Sequence, residues 1–298
     1  MSIPWWFSDV QALGTFDAST ATMGALWHVS ERLRFVRENV SAADLSEDAA
    51  HPATTSTWQR FVEQERAVRH ALVEATDEEA ALVRSKTRAP ADFRAHWEGL
   101  GFEPHAVGGG TPADDFLDAL FRTSRLVFDG PAAPLATVNL ASRARRVSDF
   151  LGVTAPAHDD VVFDLGSGHG KVALTVAASA DTRVEGVELV AGHVAEAEAS
   201  ALALGLDSAR FHQADVRDVD LSKGSIFYLY FPFHGAVASA VATTLGALAS
   251  QKDITVYASG PAWDYGEFFL REVERGALRL VGRRGEHDEV MVLVSERR

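Results

Sequence analysis

The chain has 298 residues, of which 47% are hydrophobic and 23% charged, a composition typical of a soluble globular protein. Its formal net charge of −14 argues against a nucleic-acid partner, because the phosphate backbone would be repelled. The sequence contains no cysteine, which excludes disulfides, thiolate catalysis and cysteine metal sites and favours a cytoplasmic location. It also shows no apolar run long enough to span a membrane and no signal-peptide pattern at its start.

The first 135 residues have a helical and interrupted pattern, which predicts an N-terminal helical region over residues 1–135. Helices are predicted over 21–40 and 57–85 from the spacing of their apolar residues. A third is predicted to begin at Thr111, with a capping box completed by Asp114. We expect this region to cap the sheet that follows and to shape a substrate pocket. Trp5 and Trp6 are candidates for a lid, a dimer contact or ordinary core packing.

The remainder, residues 136–298, alternates between predicted helices and strands, which predicts an α/β fold with helices on both faces of a mainly parallel sheet. Two final strands with no helix between them predict an antiparallel edge. Helices are predicted over 137–153, 170–180, 192–206, 235–250 and 264–276. Strands are predicted over 160–166, 182–189, 209–215, 225–231, 254–260, 278–284 and 289–296.

The stretch "DLGSGHGKV" at residues 164–172 is the most informative motif, and it is not a phosphate-binding P-loop. In the P-loop register set by Gly170-Lys171, Leu165 stands where a glycine is needed and Val172 where a hydroxyl is needed. A dinucleotide fingerprint fits formally from Gly168 to Ala173 but leaves the start of the motif unexplained.

The acidic residue at the end of a strand followed by G-x-G-x-G, together with the strand order, resembles class I S-adenosylmethionine-dependent methyltransferases. The resemblance implies a seven-stranded Rossmann-like sheet with an antiparallel last strand and S-adenosylmethionine as cofactor. It implies that Asp164 lies near the cofactor ammonium, Glu188 near the ribose hydroxyls and Asp215 near the adenine amino group, while Lys171 faces solvent. The full predicted cofactor set is Asp164, Gly166, Ser167, Gly168, Gly170, Glu188, Asp215, Val216 and Phe231.

The predicted fourth strand of this domain ends in "YFPF", residues 230–233, where the resemblance places the substrate-facing motif. Methyltransferases that act on amino groups often carry Asn or Asp before Pro-Pro and an aromatic residue, and that leading residue is absent here. Pro232 and Phe233 are predicted to bind substrate. Tyr230 and His234 are the candidate catalytic bases.

The glycine loop also resembles that of the non-SET histone-lysine methyltransferases. The chain lacks that family's Asn-rich motif and its basic segments, so the similarity does not predict a histone substrate. The sequence predicts methyl transfer to nitrogen or oxygen of a small-molecule or peptide-like acceptor, without a metal and with a homodimer as a further expectation. Two alternatives stay open: an NAD-linked oxidoreductase, and a non-catalytic cofactor-binding protein of the same fold.

Overall fold

A computed structural model describes residues 16–39, 52–104, 110–123, 142–260, 262–284 and 289–296. The chain divides into two compact units, one of residues 1–81 with 101–120 and one of residues 82–100 with 121–298. The division at residue 135 and the role of the helical region as a cap stay predictions. Trp5 and Trp6 lie outside the described residues.

The first unit is helical, as predicted, and its core forms between two of its helices. Apolar side chains on the first helix, Leu26 and Leu33, are buried together with Phe61 and Val68 of the second. These residues recur at helical spacing, so each helix buries its apolar face and exposes its polar face. The helices of this unit are α1 (Met23–Asn39), α2 (Pro52–Arg84, whose last residues belong to the second unit) and α4 (Pro112–Phe121).

Helix α4 begins with the predicted capping arrangement. The Asp114 backbone N–H donates to Thr111 Oγ1 at 3.1 Å, and that hydroxyl donates to Asp114 Oδ2 at 2.9 Å. The cap satisfies one of the backbone N–H groups that every helix leaves unpaired at its start. The prediction that Thr111 caps this helix is therefore confirmed.

The second unit is built on a seven-stranded sheet with the order β3-β2-β1-β4-β5-β7-β6. The first five strands are parallel, and β7 runs antiparallel to both of its neighbours, β5 and β6. This confirms the predicted α/β class and the reversed last strand. The strands are β1 (Val161–Leu165), β2 (Arg183–Glu188), β3 (Ala209–Gln213), β4 (Ile226–Tyr230), β5 (Thr255–Gly260), β6 (Leu278–Arg284) and β7 (Glu289–Ser295).

Both faces of this sheet are covered, which explains the near-continuous apolar runs of its central strands. On one face, Phe227 and Leu229 lie in a core cluster with Leu245 and Phe269. On the other, Phe150 packs edge-on against two tyrosines of the sheet. The covering helices are α3 (Pro90–Gly99), α5 (Ala144–Thr154), α6 (Lys171–Ser179), α7 (Ala191–Leu204), α8 (Gly235–Ala249) and α9 (Ala262–Glu274).

Helix α3 has no counterpart among the sequence predictions. It begins at Pro90, where the missing proline N–H costs nothing, and it buries Phe93 and Trp97 one turn apart. The Trp97 indole N–H donates to Ser179 Oγ at 3.1 Å, which ties α3 to the end of α6. This packing places α3 in the second unit.

Lys171, the first residue of α6, is buried, with 5% of its surface exposed. The prediction that it faces solvent is wrong. All nine residues of α6 are buried because the helix contacts α3, α5, α7 and the sheet. Across the described ranges, no helix combines the length and the apolar character needed to span a membrane.

Candidate cofactor site

The strand order reverses between β1 and β4, and the carboxyl ends of these two strands define the candidate site. The chain leaves β1 for β2 on one side and leaves β4 for β5 on the other. Two loops therefore diverge at this point and open a crevice, the position where open α/β sheets bind ligands. The glycine loop, residues 164–170, and the loop after β4, residues 230–234, are these two loops.

The glycine loop is fixed to the end of β2 by its backbone. The N–H groups of Gly166 and Ser167 both donate to the Val187 carbonyl, at 2.8 and 3.0 Å. The Gly168 N–H donates to Glu188 Oε2 at 2.9 Å. Three successive amides are thus held by two residues of the neighbouring strand, which gives the loop a defined shape before any ligand binds.

Gly166 brings the glycine loop against the loop after β4. Its φ is +83°, a conformation that residues with a side chain rarely adopt. A Cβ at this position would lie 2.0 Å from Pro232 Cβ, so a side chain has no room there. The glycine is therefore required by both backbone geometry and close approach.

Asp164, the last but one residue of β1, is a buried carboxylate beneath the loop, with 3% of its surface exposed. Burial raises its pKa to about 7, an effect opposed by the Ala173 N–H and reinforced by the charge of Glu188. Its Oδ2 and the Ser167 hydroxyl are buried and make no hydrogen bond within the described part of the chain. Buried polar atoms of this kind are available to a bound ligand or an ordered water.

Glu188 ends β2, as predicted, but its carboxylate already accepts two hydrogen bonds from backbone N–H groups of the protein. Oε2 accepts from Gly168 and Oε1 accepts from the Val190 N–H, both at 2.9 Å. Each carboxylate oxygen can accept two hydrogen bonds, so both retain capacity for a hydroxyl. The same side chain can therefore shape the loop and receive a ribose.

Asp215 follows β3, as predicted, and is paired with Arg217. Its carboxylate accepts the guanidinium through two bonds, at 2.9 and 2.6 Å, and also the Arg217 backbone N–H at 3.0 Å. These bonds lower the pKa of Asp215 to about 2. Val216 follows with its side chain buried in the hydrophobic core. The structure thus keeps Asp215 charged at the edge of the sheet where the adenine is predicted.

The loop after β4 contains a residue with an uncommon backbone. Phe231 has a φ of +44°, which is costly for a residue with a side chain and is often found at functional sites. Its N–H donates to the Ser259 carbonyl at 2.9 Å. This bend carries Pro232 onto Gly166.

The other predicted residues of this loop differ in their accessibility. Phe233 is 6% exposed and belongs to the hydrophobic core, so it serves packing whether or not it also contacts substrate. Tyr230 and His234 are partly exposed, and His234 immediately precedes α8. The roles predicted for these residues stay predictions.

Sequence reasoning missed several side chains beside this loop. The hydroxyl of buried Tyr228 donates to Ser142 Oγ at 2.8 Å. The Arg146 guanidinium carbon lies 5.7 Å from the centre of the Tyr230 ring. Ser259, the register partner of Tyr230, has a buried hydroxyl that makes no hydrogen bond within the described ranges. Arg143 and Arg145, in the same stretch of the chain as Arg146, are exposed.

No group of three or more metal-binding side chains comes together within the described residues. The site instead has a glycine loop held by hydrogen bonds and the buried polar atoms of Asp164 and Ser167 at that loop. The carboxylates of Glu188 and Asp215 follow at the ends of β2 and β3. These are complementary to a ligand with an ammonium group and hydroxyls.

Comparison with known families identifies this arrangement. Residues 162–248, which run from β1 to α8, match the model of a family described as a methyltransferase domain. Residues 162–248 form a methyltransferase domain. The match favours S-adenosylmethionine as the cofactor over the NAD-linked alternative.

Solved structures of other methyltransferases are similar to this domain. An RNA methyltransferase from Salinibacter ruber in complex with S-adenosyl-L-homocysteine has 21% identity and a TM-score of 0.45, covering 53% of this chain and 95% of its own. A precorrin-6y C5,15-methyltransferase from Geobacter metallireducens has 11% identity and a TM-score of 0.45, with coverages of 55% and 93%. A ribosomal protein L11 methylase from Lactobacillus delbrueckii has 14% identity and a TM-score of 0.43, with coverages of 55% and 82%. No curated protein matches the sequence.

Proposed function

We propose that the protein transfers a methyl group from S-adenosylmethionine to nitrogen or oxygen of a small-molecule or peptide-like acceptor. The observation that carries the proposal is the contact of Gly166 with Pro232, because it joins the cofactor loop to the loop predicted to face the substrate. A methyl donor and its acceptor must lie in line and close together. Two touching loops at one switch point provide that proximity.

The residues on the β1 and β2 side are suited to hold the cofactor. Asp164 and Ser167 offer a carboxylate and a hydroxyl at the amino-acid end, and both have buried polar atoms to satisfy. Glu188 retains capacity for the ribose hydroxyls. When bound, S-adenosylmethionine supplies an electrophilic methyl group on a sulfonium. We assign Asp215 to the adenine amino group, as the family resemblance implies.

The residues on the β4 side are suited to the acceptor. Tyr230 stands at the end of β4 and His234 immediately precedes the next helix, so either can accept the proton that an N–H or O–H acceptor loses. The aromatic rings of Tyr230 and Phe231 provide faces on which a sulfonium is favourably placed. The missing Asn or Asp before Pro232 argues against an amide or a base amino group as the acceptor.

The charge of the chain supports the choice of acceptor class. A net charge of −14 opposes close approach of a polyphosphate, whereas it tolerates a neutral or cationic molecule. We therefore propose small molecules or peptides ahead of RNA. A cytoplasmic location and a homodimer belong to the same proposal.

Radiolabelled methyl transfer into a fractionated lysate of the source organism tests this proposal. The lysate is separated into small molecules, peptides, proteins and nucleic acid, and Asp164→Ala is the matched control with an impaired cofactor site. Label in the small-molecule or peptide fraction, absent with the control, supports the proposal. Label in nucleic acid contradicts the acceptor class. A folded protein that binds S-adenosylhomocysteine but labels no fraction supports the non-catalytic alternative.

A further inference from the structure

Two histidines lie beside the carboxylate that fixes the glycine loop. His169 belongs to the loop itself and His193 to the first turn of α7, and their ring centroids are 4.0 Å apart. His193 Nδ1 lies 3.8 Å from Glu188 Oε1, and His169 Nε2 lies 3.3 Å from Glu196 Oε2. The two histidine side chains are only 9% and 12% exposed.

The position of His193 matters because of what Glu188 already binds. Oε1 accepts one hydrogen bond from Val190, so it has capacity for one more. A neutral ring at 3.8 Å makes no hydrogen bond with this oxygen. The remaining capacity of Oε1 is therefore available to a ribose hydroxyl as long as the ring is neutral.

We propose that His193 is a positioning residue for the cofactor, and that its charge determines whether Glu188 Oε1 can receive a ribose hydroxyl. A protonated ring becomes an ion-pair partner at this distance and draws the carboxylate oxygen toward itself. The hydroxyl then loses its acceptor. The inference rests on the proposed assignment of Glu188 to the ribose.

The closeness of the two histidine rings limits how much charge the pair takes up. Two imidazolium rings with centroids 4.0 Å apart would repel each other, so the pair holds one proton before it holds two. The charged groups that face the pair are the carboxylates of Glu188 on β2 and Glu196 on α7. Imidazoles change charge between about pH 5 and 8. Cofactor binding should therefore weaken on acidification across that range.

Asp164 on β1 must be separated from this effect, because it interacts with the charge of Glu188 and titrates near neutrality. It also gains negative charge as the pH rises, and so contributes to pH dependence in the same direction. Substitution of the histidines leaves the Asp164 contribution in place. The difference in pH dependence between the wild type and a histidine variant therefore isolates the contribution of the histidine pair.

Calorimetric titration of the full chain with S-adenosylhomocysteine at pH 6 and pH 8 is the test. The Asp164 carboxyl, with its pKa of about 7, by itself raises the Kd about tenfold between pH 8 and pH 6. For the wild type we expect a rise larger than this by a further factor of about three or more. His193→Gln, which keeps size and polarity, should reduce the rise to about the tenfold that Asp164 contributes. His158→Gln is the matched control, since that histidine also faces an aspartate but is 80% exposed.

A His193→Gln variant with the full wild-type pH dependence overturns the inference. If that variant does not fold, His193→Asn replaces it, because it also lacks the ring that takes up the proton. Unchanged pH dependence in His193→Asn then overturns the inference. In either case the proposed methyltransferase function stands as long as the wild type binds S-adenosylhomocysteine. A failure of the His193 proposal is therefore distinguishable from a failure of the proposed function, which would show as no binding by the wild type.

Discussion

Replacing Asp164 with asparagine should stabilise the protein without cofactor at pH 8 while it weakens cofactor binding. The carboxylate is buried, and its pKa is raised to about 7 from an ordinary value of 3.8. The folded state therefore binds this proton more tightly than the unfolded state does. The cost to stability is fully present above pH 7 and disappears as the pH falls toward 3.8.

The size of the effect follows from the two pKa values. A difference of about 3 pH units corresponds to about 4 kcal/mol, at about 1.4 kcal/mol per unit. The asparagine carbonyl can still accept from Ala173, but its buried amide N–H groups cost about 1–3 kcal/mol. We expect a net gain of about 1–3 kcal/mol at pH 8 and little or none at pH 5.

Urea unfolding at pH 5 and pH 8, paired with calorimetry of S-adenosylhomocysteine binding, measures both effects. The variant should bind at least about tenfold more weakly at pH 8, because it lacks the charge that faces the ammonium. Asp215→Asn is a control whose effect on the free energy of unfolding should have the opposite sign, because Arg217 holds the pKa of Asp215 at about 2. Its loss should cost at most about 1 kcal/mol at pH 8, because the pair is partly exposed. Equal destabilisation of Asp164→Asn at both pH values would refute the reasoning.

Three further substitutions test other parts of the structure. Gly166→Ala should abolish S-adenosylhomocysteine binding in calorimetry, because its Cβ has no room, whereas Gly192→Ala, in an open position of α7, should leave binding unchanged; equal effects of the two would contradict the close approach. Tyr228→Phe should cost about 1 kcal/mol in urea unfolding through loss of its bond to Ser142, and an unchanged midpoint would show that this bond adds nothing. Thr111→Ala should cost about 1 kcal/mol through loss of the helix cap, with Thr111→Ser expected to restore most of it.

The sequence was sufficient to predict the second unit because its strands are buried on both faces. Apolar runs such as Val161–Phe163 are typical of such strands, and the glycine motif indicates where the first one ends. The antiparallel pairing of β7 followed from a turn too short to contain a helix. These features are local in the chain, so a single sequence carries them.

Contacts between distant segments could not be predicted in the same way. Lys171 begins α6, and it is buried because α6 packs against other helices and the sheet, which are distant in the chain. The hydrogen bond from the Gly168 N–H to the Glu188 carboxylate depends on the register of β1 and β2. Helix α3 did carry a signal, since Phe93 and Trp97 are four residues apart after a proline.

The most direct test of the central claim is a calorimetric titration of the full chain with S-adenosylhomocysteine, with NADH in parallel. The structure predicts saturable binding of S-adenosylhomocysteine at one site per chain, weakened by Asp164→Ala and by Glu188→Ala, and no binding of NADH. A folded protein that binds NADH but not S-adenosylhomocysteine, or whose S-adenosylhomocysteine binding is unaffected by both substitutions, would contradict the assignment of the glycine loop.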